Sequence, residues 1–312
     1  MSDPSKHKAS PAMIILAFAT VYIVWGSTYF FIAVAIRHFP PMILGALRFL
    51  MAGGLLMGWC LFKGESVGKW KQIKPALITW LLLLLVGNGG EILAEKWLPS
   101  SLVAVLISSS PFWFVVLDVP RWRENLTNRS VISGLIFGFI GVTLMFGEKI
   151  VTAISSTGYT NEILGLIILL IATISWAGGS IYSKHNSTGS TTVNTAWQMS
   201  VAGVAFLIIS LFSNEWGDFQ WGTVSSASWF ALFYLTLLGS VAAYSAYVWL
   251  LHVRPAAQVS TYAYVNPVIA VVLGVFFAGE FMSFIQVTGL VVILVSVLLI
   301  NLAKYRSGRR NV

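Results

Sequence analysis

Apolar residues run along this chain in blocks of about 20, separated by short polar stretches, and not in the strict alternation of a strand. A block of that length matches the span of an α-helix across a hydrocarbon core about 30 Å thick. The blocks predict helices at about 11–36, 41–62, 75–95, 99–119, 130–147, 162–183, 190–212, 228–250, 255–277 and 283–303. The connections carry turn and polar residues: HFPP, KGESVGKWKQIK, LPSS, RWRENLTNR, a Ser/Thr/Gly-rich stretch after Lys149, HNSTGS and SNEWGDFQWG. The expected fold class is an all-α integral membrane protein with ten transmembrane helices.

The blocks fall into two similar halves. Pro99, Pro111 and Glu124 are each followed 156 residues later by the same residue type, at Pro255, Pro267 and Glu280. Trp25 in the first block corresponds to Trp176 in the sixth. Arg48 followed by Ala52-Gly53 corresponds to Gln198 followed by Ala202-Gly203. Self-similarity at a fixed offset indicates internal duplication. Five spans is an odd number, so the halves must enter the membrane from opposite sides, as inverted-topology repeats. The organisation expected is a cytoplasmic tail over 1–10, a first five-helix repeat over 11–148 and an extracytoplasmic linker over 149–161. A second repeat over 162–303 and a basic cytoplasmic tail over 304–312 follow.

Composition agrees with a lipid-solvated chain. The 312 residues are 57% hydrophobic and 10% charged, with a mean hydropathy of +0.82, whereas soluble domains are about 25% charged. The first apolar block is too long for a signal-peptide core and reads as a retained helix. Cys60 is the single cysteine, so no disulfide forms within the chain. The net charge of +8 follows topology instead of nucleic acid. With the N-terminus in the cytoplasm, 15 Lys and Arg fall inside, three (Arg37, Lys96, Lys149) fall outside, and Arg48 lies within a span. That asymmetry supports ten crossings with both termini cytoplasmic.

At 1.5 Å rise per residue, Pro111 lies about 18 Å from the outer face and Pro267 about 18 Å from the inner one. Each leaves a carbonyl four residues back, at Ile107 and Ala263, without its helical donor. In lipid that group needs another partner or a wet cavity. Ser108, Ser109, Ser110 and Asn266 gather at the same level. Arg48 and Glu91 reach similar depths, where unpaired ions are costly and functional roles common. Asn88 is nearby, and Glu91 is the candidate for exchanging a proton or meeting an amine, with Arg48 tuning it. Trp25, Trp113, Trp176, Tyr244, Tyr262 and Tyr264 lie deep enough to face a central cavity, though packing alone would also place rings there. Glu124 and Glu280 read as structural, each favouring the N-terminal dipole of the next helix. Gly54-x-x-x-Gly58 and Gly134-x-x-x-Gly138 allow close helix approach, within or between monomers. His7, His38, His185 and His252 form no metal-ligand spacing, and no Walker lysine motif occurs. No cofactor is expected.

VWGSTY around Trp25, Arg48, the stretch NGGEILAEKWLPSSLVAVLISSSPFW, Pro255, Asn266-Pro267, Gly279-Glu280 and Gly289 together resemble EamA-type members of the drug/metabolite transporter superfamily. The resemblance implies ten helices in two inverted repeats around a cavity lined by helices one, three, four, six, eight and nine. It also implies export of amino acids, metabolites or drugs across a bacterial-type plasma (inner) membrane. The expected solute-contacting residues are Trp25, Asn88, Ser109, Ser110, Trp113, Trp176, Tyr244, Tyr262 and Asn266. Arg48 and Glu91 would supply charge, and Pro111 and Pro267 would be hinges. The partners are a small-molecule substrate and the lipid bilayer, with protons as candidate coupling ion and no nucleic acid. The chain would act as a monomer or weak homodimer. The rival readings are a membrane-embedded enzyme, for which only Glu91 begins a catalytic group, and a passive channel.

Overall fold

Serine, proline and a distant carboxylate set the helix starts. Ser10 Oγ accepts from Met13 N–H and Pro11 opens α1 (Pro11–Ala35) in the computed structural model, which describes residues 10–94, 97–98, 103, 106–154, 159–217, 219–278 and 283–308. Helix α2 (Pro41–Phe62) begins after Pro40, which offers no side-chain acceptor. Glu215 supplies it from the far side of the chain, its Oε2 accepting from Met42 and Ile43 N–H at 3.0 Å each. A carboxylate there also complements the helix dipole.

The third block begins at Trp70, five residues before the expected start, so Pro75 lies inside α3 (Trp70–Trp80). The carbonyl that loses its donor belongs to Lys71, and Thr188 Oγ1 donates to it at 2.8 Å. From α3 the chain runs through a π-helical segment, Leu81–Asn88, into α4 (Gly89–Ala94). Then come α5 (Ser110–Leu117), α6 (Trp122–Thr127), α7 (Arg129–Ile154), α8 (Tyr159–Asn186) and α9 (Thr191–Phe212). Helix α10 (Ser226–Tyr234) passes through a second π-helical segment, Leu235–Tyr244, into α11 (Ser245–Val253). The chain ends with α12 (Ala256–Val259), α13 (Tyr262–Ala278) and α14 (Phe284–Gly308).

All regular structure among the described residues is helical. Among the described residues, six continuous helical spans, two of which (Trp70–Glu91 and Ser226–Val253) run through the π-helical segments, are long and apolar enough to cross a membrane, or seven if the pair Val119–Thr127 and Arg129–Leu144, bent by 88°, is one span. The count is below ten for identifiable reasons. The fourth expected helix has residues 99–102 and 104–105 outside the described residues and turns at Ser108-Ser109; the ninth is broken between α12 and α13. Phe284–Ile300 is apolar but short. Pro99, Glu95, Lys96, Gly279 and Glu280 lie outside the described residues. RWRENLTNR, expected as a loop, is mostly helical, and Glu124 pairs with Arg121 at 3.8 Å inside it instead of capping the next helix. The expected linker over 149–161 is largely taken up by the ends of α7 and α8.

Glycines fix the closest helix contacts. Helices α2 and α9 meet reciprocally: a Cβ on Gly53 would lie 2.6 Å from Ser200 N, and one on Gly203 2.5 Å from Leu50 N. Helix α7 packs on α14, where a Cβ on Gly134 would lie 2.5 Å from Ile300 Cγ1 and one on Gly138 2.7 Å from Ser296 Oγ. Gly54 and Gly58 meet nothing within 4 Å. The outer faces carry exposed Leu16, Phe62, Phe212 and Phe284, as lipid-facing surfaces should.

Candidate functional site

The two π-helical segments end at Asn88 and Tyr244, 156 residues apart like the paired prolines. A π turn adds a residue to the helical repeat and re-aims the side chains around it. In the first segment Gly87 leaves room for an indole, since a Cβ there would lie 3.1 Å from Trp176 Cε3. In the second, the Gly239 carbonyl accepts from Trp25 Nε1–H at 3.2 Å.

The broken helices contribute through their serines. Ser110 Oγ donates to the Ile107 carbonyl at 2.5 Å, and Ser108 Oγ donates to the Ala263 carbonyl at 3.2 Å. These are the two carbonyls orphaned by Pro111 and Pro267, so one serine run serves both breaks and ties them together. Ser109 Oγ turns back onto the Leu106 carbonyl at 2.6 Å.

Between these elements lies a cavity of about 140 Å³. Trp25, Arg48, Asn88, Glu91 and Ser110 line it from the first half of the chain. Trp176, Tyr244, Tyr262 and Asn266 line it from the second. Ser109 and Trp113 do not; Trp113 packs edge-on against Phe112 with ring centres 5.3 Å apart. Pro111 sits in the first turn of α5 and Pro267 inside α13, each directly after a lining residue. Tyr264 is fully buried and donates to the Leu135 carbonyl at 3.2 Å, away from the cavity.

One wall is aromatic. Trp25 stands 6.1 Å from Trp176, 4.9 Å from Tyr247, 5.1 Å from Tyr262 and 6.4 Å from Tyr244, centre to centre. Such tilted and edge-to-face contacts suit ring quadrupoles. Tyr247 was not legible as part of this group, yet it follows Tyr244 by three residues, a same-face helical spacing. Its hydroxyl shares a 2.5 Å hydrogen bond with Ser180. Thr28 and Thr173, three residues from Trp25 and Trp176, line the cavity by the same rule.

The polar wall is built around α2 and the second π segment. Arg48 Nε donates to Ser240 Oγ at 2.7 Å, and its guanidinium carbon stands 5.0 Å from the centre of the Phe49 ring. Gln198, the counterpart of Arg48, accepts from Tyr244 Oη–H at 2.6 Å. Asn266 is buried, and its Oδ1 has no hydrogen-bond partner among the described residues. No group of three or more His, Cys, Asp or Glu side chains placed to hold a metal occurs among the described residues. Away from the cavity, buried Asp118 meets His185 Nε2 at 3.3 Å. Nothing in the sequence around Asp118 signals that it is buried.

The arrangement can enclose a small solute between an aromatic wall and a cation, with hydroxyl and amide groups around it. The model of the EamA-like transporter family matches residues 12–147 and 163–302. The chain is 34% identical over 290 residues to the inner membrane transporter YedA of Escherichia coli (strain K12), covering 93% of this chain and 90% of that one. It is 24% identical over 297 residues to a protein of Salmonella typhimurium (strain LT2) named "Probable amino-acid metabolite efflux pump", covering 93% and 94%. A solved crystal structure aligns over 95% of this chain and 99% of its own, with a TM-score of 0.79 at 17% identity, so the fold has been seen before.

Proposed function

Because the chain belongs to the EamA-like transporter family, we propose that this multi-pass inner membrane protein is a secondary transporter that exports small amphipathic metabolites through the cavity. The observation that carries the reading is that the cavity walls come from both family-matched stretches, with Trp25 and Trp176 in ring contact on its aromatic wall. A site at the junction of two repeats is what alternating access requires.

Ten crossings in two inverted repeats remain the topology proposed, with both termini cytoplasmic. The two family matches, the shared 156-residue offset of the π segments and prolines, and the reciprocal Gly53 and Gly203 contacts support it. The breaks at Pro111 and Pro267 are the proposed hinges, and Trp25, Asn88, Ser110, Trp176, Tyr244, Tyr262 and Asn266 the proposed contacts. Amino acids and related metabolites fit the cavity's size and mixed walls, and the name of the Salmonella relative points the same way.

Reconstitution into liposomes with a panel of labelled metabolites, with and without a proton gradient, tests the reading. A carrier gives saturable flux and counterflow; a passive channel gives neither. Absence of flux across the panel, with no ligand-induced thermal stabilisation, would refute it. Proton coupling through Glu91 predicts that Glu91→Gln abolishes the gradient dependence, and unchanged proton-dependent flux in that variant removes Glu91 from the coupling step.

A further inference from the structure

We infer that Arg48, braced by Ser240, is the anchor for a carboxylate, so that the transported solute is a small organic acid with an apolar body. The inference rests on the reading of the cavity as a solute site. A guanidinium stays charged at all working pH values, and inside a helix bundle that charge calls for an anion. Among the described residues, the only hydrogen bond of the Arg48 side chain is from Nε to Ser240 Oγ. Its two terminal amino groups, the prongs that match a carboxylate in bidentate geometry, have no hydrogen-bond partner there, and Arg48 borders the cavity.

The side chain is also pre-positioned. The Ser240 bond holds one edge of the guanidinium and the Phe49 ring lies beside it. On the Nη2 side the neighbour is Gly239, where even a Cβ would come within 3.3 Å of that nitrogen. A glycine there keeps the prongs accessible. Little ordering is left for binding to supply, which favours affinity.

The remaining walls say what the acid carries. Trp25, Trp176, Tyr244 and Tyr262 offer flat apolar surface to a ring or branched chain. Asn266 Oδ1, buried and without a partner among the described residues, can accept from a hydroxyl or amine. Glu91 lines the same cavity with interactions of its own, and its presence disfavours a second acid group or a dianionic phosphate. The cavity of about 140 Å³ holds roughly ten water-sized positions at about 10–15 Å³ each, the scale of a single-ring acid.

The test uses the full chain in proteoliposomes, with 3-phenylpropanoate and its uncharged analogue 3-phenylpropanamide as probes, read by ligand-induced thermal shift and by counterflow. Wild type is expected to prefer the acid by roughly tenfold or more, as a charge-assisted pair should. In Arg48→Gln the acid-to-amide ratio falls to about one; in Arg48→Lys, which keeps the charge and loses the fork, and in Ser240→Ala it falls part-way. The ratio, not absolute affinity, is the readout, and Arg48→Lys carries the test if Arg48→Gln fails to fold. An unchanged ratio in both Arg48 variants, or no binding of the acid by wild type, overturns the anchor. If acid binding is Arg48-dependent but flux neither saturates nor shows counterflow, the carboxylate site stands and the transport reading falls.

Discussion

Pro75, Pro111 and Pro267 each remove a donor from a carbonyl four residues back, and in each case a hydroxyl side chain replaces it. Thr188 serves Lys71, Ser110 serves Ile107 and Ser108 serves Ala263. The orphaned carbonyls at Ile107 and Ala263 follow from the sequence alone. The donor to Ala263 does not, because Ser108 is 155 residues away in the chain. A hydrogen bond of this kind within a membrane bundle contributes about 1 kcal/mol. Ser108→Ala is therefore expected to lower thermal stability in detergent by about that amount. In a Pro267→Ala background the restored N–H can reach the Ala263 carbonyl, and the same Ser108→Ala change should then cost little. Additive losses in this double-mutant cycle would show that Ser108 and Pro267 are energetically unrelated. Depth along the sequence brings Arg48 and Glu91 to the cavity but does not separate them from Trp113, which does not line it, since depth says nothing about which side of a helix faces inward.

At the scale of elements, neighbouring glycines have opposite roles. Gly53 lies against the backbone of α9, while Gly54 faces open space. Their spacing looks equivalent in the sequence, where Gly54-x-x-x-Gly58 is the more conspicuous pattern. Yet Ala52-Gly53 and its twin Ala202-Gly203 are the pair that pack. Overpacking against fixed backbone costs more than the 1–3 kcal/mol usual for side-chain crowding. Gly53→Leu is expected to abolish recovery of monodisperse protein, whereas Gly54→Leu should leave yield and melting temperature nearly unchanged. Size-exclusion profiles of the two variants decide it, and equal behaviour would contradict the α2–α9 contact. The helices themselves were readable because lipid demands a fixed length of apolar residues. The π-helical segments were not, because Leu81–Asn88 and Leu235–Tyr244 contain ordinary helix-forming residues and differ only in hydrogen-bond register.

At the scale of the molecule, the cavity lies, among the described residues, nearer one end of α1 and α2, and hydrogen bonds tie the helices together toward the other end. Thr28 and Ile32 in the later part of α1, and Arg48 and Phe49 in the first part of α2, all border the cavity. About one turn before Trp25 in α1, Tyr22 Oη and Thr261 Oγ1, the latter between α12 and α13, share a 2.5 Å hydrogen bond. On that side Lys184 Nζ donates to the Arg254 carbonyl, and His185 meets buried Asp118 at 3.3 Å. Lys63 and Lys69 of the α2–α3 connection and Lys184 in the last turn of α8 fall on the closed side, which the charge rule assigns to the cytoplasm. The resting protein is thus expected to open outward. Cys60 is buried, so a single introduced cysteine can report access. A membrane-impermeant thiol reagent added outside intact cells should label Thr28→Cys and spare Thr261→Cys. Asp118→Asn and Tyr22→Phe remove two of the closing contacts, and combining either with Thr28→Cys should slow labelling from outside as the inward-open population grows. Faster labelling of Thr261→Cys than of Thr28→Cys from outside would reverse the assignment of the closed face. Unchanged Thr28→Cys labelling in both combinations would show that the closing contacts set no equilibrium between the two states.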